Sequence, residues 1–278
     1  MEEVFLRSVY FGTPLLLATL GALLGERAGV VNLGVEGMMA LSALAAFAVA
    51  QATGSPFVAA LVAVGVGVAM GLFLGLVTVT LRANAFVAGL ALAMAGVGAA
   101  GLIGKRYEGL PLLSPAREEG FALLAVALAG FLYLLLYKTR LGLYLRSVGE
   151  NPKAVDLFGG SVTGLRYLAL GLGGGLIGLA GADLSLAYRP SWADGLTAGL
   201  GWVAVALVIF VGWHPLRAVL GAWFFGLLFF LQFRFQGSVP IPSEAFAAMP
   251  YALVILVLAL SGRGRAPRAL GLPYERGR

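Results

Sequence analysis

Nine apolar stretches constrain this chain more than any other feature. They lie near 8–24, 35–50, 57–81, 83–103, 120–137, 163–187, 196–213, 216–233 and 246–262. Each approaches the roughly 20 mainly apolar residues that a helix needs to cross a hydrocarbon core. Leu, Ala, Val and Gly follow one another in them without strict alternation, which excludes barrel strands and leaves helices. Composition agrees, since 60% of the residues are hydrophobic and 12% are charged. A soluble domain carries about 25% charge, so too little polar material is present for a water-facing skin. The expectation is an all-α polytopic membrane protein of about 8–10 transmembrane helices, a single membrane domain over residues 1–278.

The side-chain inventory excludes several chemistries. There are no cysteines, and His214 is the only histidine, so disulfides, thiolate chemistry and an imidazole metal cluster fall away. Neither a metal nor a cofactor is implied. No nucleotide-phosphate loop is visible, so ATP-driven work requires another subunit. The net charge of +6 is read through the positive-inside rule rather than as a nucleic-acid footprint. That rule puts the 138–162 loop and the basic tail 263–278 in the cytoplasm. Nine spans then leave the N-terminus outside, with the first stretch read as a retained span rather than a signal peptide.

Glycines spaced by three and four in the apolar stretches, with a cluster at Gly173-Gly174-Gly175, predict close helix packing; an unwound stretch there is the alternative. Asn84 is expected to cap the fourth span rather than serve the pathway, and Asp183 to be a hydrogen-bonded helix terminus, with a pore-facing position as the alternative. Trp192 and Asp194 are candidates for contact with a partner on the outer side.

Two segments stand out. In 25–37, Glu26, Arg27, Asn32 and Glu36 lie with four glycines between two apolar stretches too close together for an ordinary loop. Ionisable groups at membrane depth are paired or face a polar cavity. Two readings stay open: a local charge network pinning a helix break, or a break that lines a translocation route. In 138–162, Asn151 as N-cap and Pro152 at the first helical position predict a short helix with Ala154, Val155, Leu157 and Phe158 on its apolar side, stopped by Gly159-Gly160. Such a helix suits docking to a protein or resting on lipid headgroups.

Residues Gly25–Met39 resemble the ER-x-G-x-x-N-x-G-x-EG signature of ABC importer permeases for branched-chain amino acids, ribose and nucleosides. Arg146-Ser147-Val148-Gly149-Glu150-Asn151-Pro152-Lys153-Ala154 resembles the family's R-x-x-G-x-N-P-x-A element. Gly199–Phe210, followed by Gly212-Trp213-His214-Pro215, is a third match, with His214 where the family usually has Asn. Three ordered matches spread over the chain identify it as a member.

The resemblance implies a cobalamin-importer-like bundle with two related halves in a bacterial inner membrane, and no enzymatic activity of its own. It implies cytoplasmic ABC ATPases, a second permease and an extracytoplasmic binding protein as partners. Glu26, Arg27, Asn32 and Glu36 would then belong to the substrate pathway. Arg146, Gly149, Glu150, Asn151, Pro152, Ala154 and Phe158 would form the coupling element. The Glu-Arg…Asn…Glu-Gly-Met-Met form is most similar to the nucleoside branch, linked to basic membrane proteins, with this chain as the shorter of an unequal permease pair. Sugar or branched-chain amino acid cargo is the alternative within the family. Outside it stand an ion-coupled secondary transporter and, weakened by the inventory above, an intramembrane enzyme.

Overall fold

The computed structural model describes residues 2–112, 114–235 and 266–275, with 252, 255, 256 and 259 as isolated positions. Ten α-helices follow one another among them. The first five are α1 (Glu2–Arg27), α2 (Val35–Thr53), α3 (Pro56–Gly75), α4 (Ala85–Gly104) and α5 (Glu118–Lys138). Then come α6 (Arg140–Glu150), α7 (Pro152–Leu157), α8 (Val162–Asp183), α9 (Leu200–Phe210) and α10 (Pro215–Phe235). Single π-helical turns extend α3 to Thr80 and α8 to Tyr188. Seven of these helices are long and apolar enough to cross a membrane: α1 to α5, α8 and α10.

One of the nine expected spans comes out differently, and another lies outside the residues that could test it. The 246–262 stretch falls outside the continuously described residues. Within 196–213 only an 11-residue helix forms, about 16 Å long at 1.5 Å per residue, half of a hydrocarbon core of about 30 Å. It is a half-helix, reached through the irregular stretch 189–199.

Helices α1, α2 and α8 form the centre of the bundle, with Leu15, Leu16, Leu20, Leu23, Phe47 and Ile177 fully buried. Helices α3, α4, α5 and α10 surround them and turn Phe57, Met94, Leu102, Leu123 and Leu220 outward, as the lipid-facing side of a membrane bundle requires. Small residues allow the centre to close. Gly67 and Gly71 of α3 meet Gly174 and Gly178 of α8 backbone to backbone, and Gly21 of α1 meets Gly173. Helix α8 is unbroken through Gly173–Gly175, so the packing reading holds and the unwound one does not. Such close approach is what drives association where water cannot.

The bundle has two distinct ends. One carries the α1–α2 break, the α3–α4 turn at Arg82, α6, α7, the 212–214 turn and the segment 266–275. The other carries the α2–α3 turn and the 108–117 and 189–191 connections, joined by Leu112 N–H to Pro190 O at 3.3 Å and Gln51 Nε2 to Pro111 O at 2.7 Å. Asn84 caps α4 as expected, its Oδ1 accepting from Phe86 and Val87 N–H at 2.9 and 3.2 Å. Asp183 is not a helix terminus: the chain coils on past it to Tyr188, and its buried Oδ2 has no partner among the described residues. Trp192 is 3% exposed and packed over Gly104, so it offers no outer contact surface.

Candidate functional site

The charged motif begins as a helix stop. Gly29 N–H bonds Glu26 O at 2.9 Å and Val30 N–H bonds Gly25 O at 3.0 Å, the paired bonds of a Schellman ending. That ending needs a left-handed residue, and Gly29 supplies it at φ 85°. Asn32 then accepts from Gly34 N–H at 2.9 Å through its side chain, closing the turn from which α2 starts at Val35. Asn32 therefore shapes the break locally, an Asx turn in the interior.

Glu26, Arg27 and Glu36 do not pair with one another, so of the two open readings the local charge network is corrected. Each reaches across the bundle to α9, some 160 to 190 residues away in sequence. At the start of α9, Glu36 Oε1 accepts from Thr197 Oγ1 at 2.6 Å and Gly199 N–H at 2.9 Å, and its Oε2 accepts from Gly201 N–H at 2.7 Å. A helix leaves its first N–H groups without intrahelical partners, and here a buried carboxylate from another helix takes them. A Cβ on Gly201 would lie 2.5 Å from Glu36 Cα, so only glycine lets α9 come this close.

The far end of α9 is held in mirror fashion. It closes with Gly212 N–H on Ile209 O and Trp213 N–H on Val208 O at 3.1 and 3.0 Å, a second Schellman ending. Trp213 itself is left-handed at φ 54°, a conformation that costs a non-glycine residue about 1–2 kcal/mol. Two charged side chains hold it there. Trp213 Nε1 donates to Glu26 Oε2 at 2.6 Å, and Arg27 Nε donates to Trp213 O at 2.9 Å. Glu36 thus matches the partial charge of the α9 N-terminus, and Arg27 that of its C-terminus, where Glu26 binds the Trp213 indole N–H rather than the helix backbone. The half-helix is gripped at both ends by one motif.

The coupling element meets the same place. Asn151 caps α7 by accepting from Ala154 N–H at 3.1 Å, with Pro152 at the first position, as the sequence predicts. The residues before it, expected as loop, instead form α6, which buries Gly142, Leu145, Val148 and Gly149. Gly149 packs against the carbonyl of Arg27, where a Cβ would collide. Arg146 lies over the Tyr137 ring, 4.7 Å from its centre, and Tyr137 Oη accepts from Arg27 Nη2 at 3.0 Å. His214 stacks on the same ring at 5.3 Å; burial first, then Arg217 and Arg27, push its imidazole below its ordinary pKa. Val155 of α7 points inward, while Leu157 and the capping residue Phe158 are each 86% exposed, so they do not share the single apolar side expected. Glu150 faces the 266–275 segment, accepting from Arg268 N–H at 3.4 Å.

The structure therefore brings all three sequence motifs to one end of the bundle. Sequence reasoning missed Tyr137, which joins Arg27 to Arg146, and Arg166, which is 2% exposed behind Gly29. A tyrosine in an apolar run carries no signal of its own. Arg166, an arginine within an apolar stretch, did carry one. Among the described residues no group of His, Asp and Glu is placed to hold a metal ion.

A model of the family described as branched-chain amino acid transport system / permease component matches residues 4–258. A Haloferax volcanii protein, provisionally named a glucose ABC transporter permease protein, is 39% identical over 82% of this chain and 76% of its own. The guanosine ABC transporter permease protein of Bacillus subtilis is 30% identical over 98% of this chain and 96% of its own. The nucleoside ABC transporter permease protein of Lactococcus lactis is 31% identical over 99% and 97%. No solved structure matches the chain. The chain belongs to the branched-chain amino acid transport system permease family, a multi-pass membrane subunit of an ABC transporter and not itself an enzyme.

Proposed function

We propose that the chain forms one side of the pathway by which an ABC importer moves nucleosides, paired with a second, longer permease. The observation that carries the cargo is the nearly end-to-end similarity to relatives named for guanosine and nucleosides. The similarity to a chain named for glucose favours a second reading, sugar import, and both cargoes present a hydroxylated ring. The end bearing α6 and α7 faces the cytoplasm in this proposal, with the C-terminus inside and the N-terminus outside. Lys138, Arg140, Arg146, Lys153 and Arg268 at that end support it. An ATPase subunit docks on α7, and a binding protein delivers cargo at the opposite end.

Glu26, Arg27 and Glu36 act on the pathway by placing α9, and Asn32 by shaping the break, rather than by touching cargo. Both oxygens of Glu36 are already engaged by donors of the 197–201 segment, and half-helices ending near the bilayer midplane are where transporters build their sites. Motion of α7 reaches α9 through Gly149, Arg27 and Trp213.

Uptake into proteoliposomes holding the complex purified from its native membrane tests the cargo. With ATP available to the ATPase, labelled guanosine is expected to accumulate, and unlabelled glucose in roughly hundredfold excess is expected to leave at least about nine-tenths of that uptake. ATP-dependent glucose accumulation that guanosine does not compete with overturns the nucleoside reading. Guanosine uptake that follows an ion gradient and ignores ATP overturns the import mechanism.

A further inference from the structure

The segment 267–275 crosses the α6–α7 end of the bundle and ties together parts that are distant in sequence. Ala269 N–H bonds Gly149 O at 2.8 Å, and Gly271 N–H bonds Gly29 O at 2.9 Å. The first of these bonds is on the last turn of α6, and the second is on the residue that stops α1. Gly271 is left-handed at φ 75°, which lets the segment bend over Gly29.

Beyond the bend, Tyr274 packs on a separate apolar cluster made of Val148 from α6, Val155 from α7 and Val162 from α8. Its hydroxyl donates to Asp156 Oδ2 of α7 at 2.9 Å. Glu275 ends the run with an ion pair to Arg82 in the α3–α4 turn at 2.6 Å. Cavities of about 420 and 490 Å³ flank Tyr274, both lined by α7 or the residues next to it. Without the segment, α7 would be anchored through its own short connections and Val155.

We infer that residues 267–275 are a positioning strap that carries the displacement of α7 to the α1 stop at Gly29 and to the α3–α4 turn at Arg82. This rests on the importer reading above, in which an ATPase moves α7. The strap adds a lateral link to the covalent ones through α6 and α8. Because the α1 stop also presents Glu26 and Arg27 to Trp213, a pull at Gly29 is delivered to the end of the half-helix. The anchors have different characters. Two are backbone hydrogen bonds, one is the bond from Arg268 N–H to the Glu150 carboxylate, one is an apolar ring contact with a hydroxyl bond, and one is an exposed ion pair. Only the ion pair can be reversed in sign without altering shape.

The test uses the complete complex in proteoliposomes and reads guanosine moved per ATP hydrolysed. Removing residues 267–278 is expected to leave the ATPase bound and hydrolysing while transport per ATP falls about tenfold. Arg82→Glu alone is expected to lower the ratio by roughly threefold, in keeping with an exposed pair, and Glu275→Arg in the same chain to restore it. Rescue by the reversed pair is a readout that mere loss of structure would not give. An unchanged ratio in the truncated chain overturns the strap, and so does an Arg82→Glu loss that Glu275→Arg leaves uncorrected. If truncation prevents assembly, the reversed pair decides alone. An unaltered chain that copurifies with no ATPase overturns the importer reading, and the strap's role with it.

Discussion

Glu36→Ala is expected to reduce transport by roughly hundredfold or more while the chain still inserts into the membrane. The substitution leaves Thr197 Oγ1 and the N–H groups of Gly199 and Gly201 without their acceptor. Each buried donor left unmet costs about 1–3 kcal/mol, and the helix end loses a matching charge worth about 0.3–1 kcal/mol more. Nothing else described in the structure reaches those donors, so α9 loses its fixed start. Glu36→Gln keeps one carbonyl oxygen but turns an NH2 toward an N–H group, and an intermediate loss is expected. Uptake normalised to inserted protein measures both. Wild-type uptake by the alanine variant at wild-type expression would make Glu36 a bystander.

Leu157→Asp together with Phe158→Asp is expected to abolish ATPase copurification without lowering the melting temperature of the chain itself. Both side chains are 86% exposed, so the fold of this chain gains little from them. Buried in a partner, two such residues would contribute about 1.5–3 kcal/mol each, enough for a loss of roughly two to four orders of magnitude in affinity. Val155→Asp is the contrasting change, because Val155 belongs to the cluster with Val148 and Val162 and its loss is expected to lower the melting temperature. If α7 instead rested on lipid headgroups, the double aspartate variant would keep its ATPase. Pull-down of the ATPase with each variant, in parallel with melting curves, separates the two.

The legibility of this chain in its sequence follows from how local each cause is. Seven spans stand out because about 20 apolar residues in a row have few other uses, and α7 stands out because Asn151 and Pro152 are start signals next to each other. The same loop hides α6, although Thr139 caps it by accepting from Gly142 N–H at 3.0 Å. Its apolar face is short and includes two glycines, so hydropathy alone passes over it. The error at 196–213 has the same root. Gly195, Thr197 and Gly199 are uncharged and small, and a hydropathy window runs through them, yet Ala198 and Gly199 are both left-handed at φ 46° and 83°. Helix geometry ends there.

The candidate site was legible as a set of residues and not as an arrangement. Burying Glu26 and Glu36 and half-burying Arg27 at membrane depth demands partners, and the sequence shows the demand plainly. The partners are Trp213, Thr197 and the first N–H groups of α9, with Tyr137 of α5 as a further partner of Arg27, all uncharged groups that nothing in the sequence advertises. Long-range pairing of a carboxylate with backbone donors leaves no trace in spacing. Asp183 illustrates the reverse error, because its position near the end of an apolar run suggested a terminus while the helix continues by a π turn.

The claim most exposed to test is that the 25–37 motif holds the half-helix α9 through Glu36. A double-mutant cycle on the purified complex measures it, using Thr197→Val, Glu36→Ala and the pair, each followed by thermal unfolding in one detergent. The account predicts that Thr197→Val lowers the melting temperature in the native background and changes almost nothing once Glu36 is gone, a coupling of about 1–3 kcal/mol. Equal losses in both backgrounds would contradict it, because the two side chains would then be acting independently.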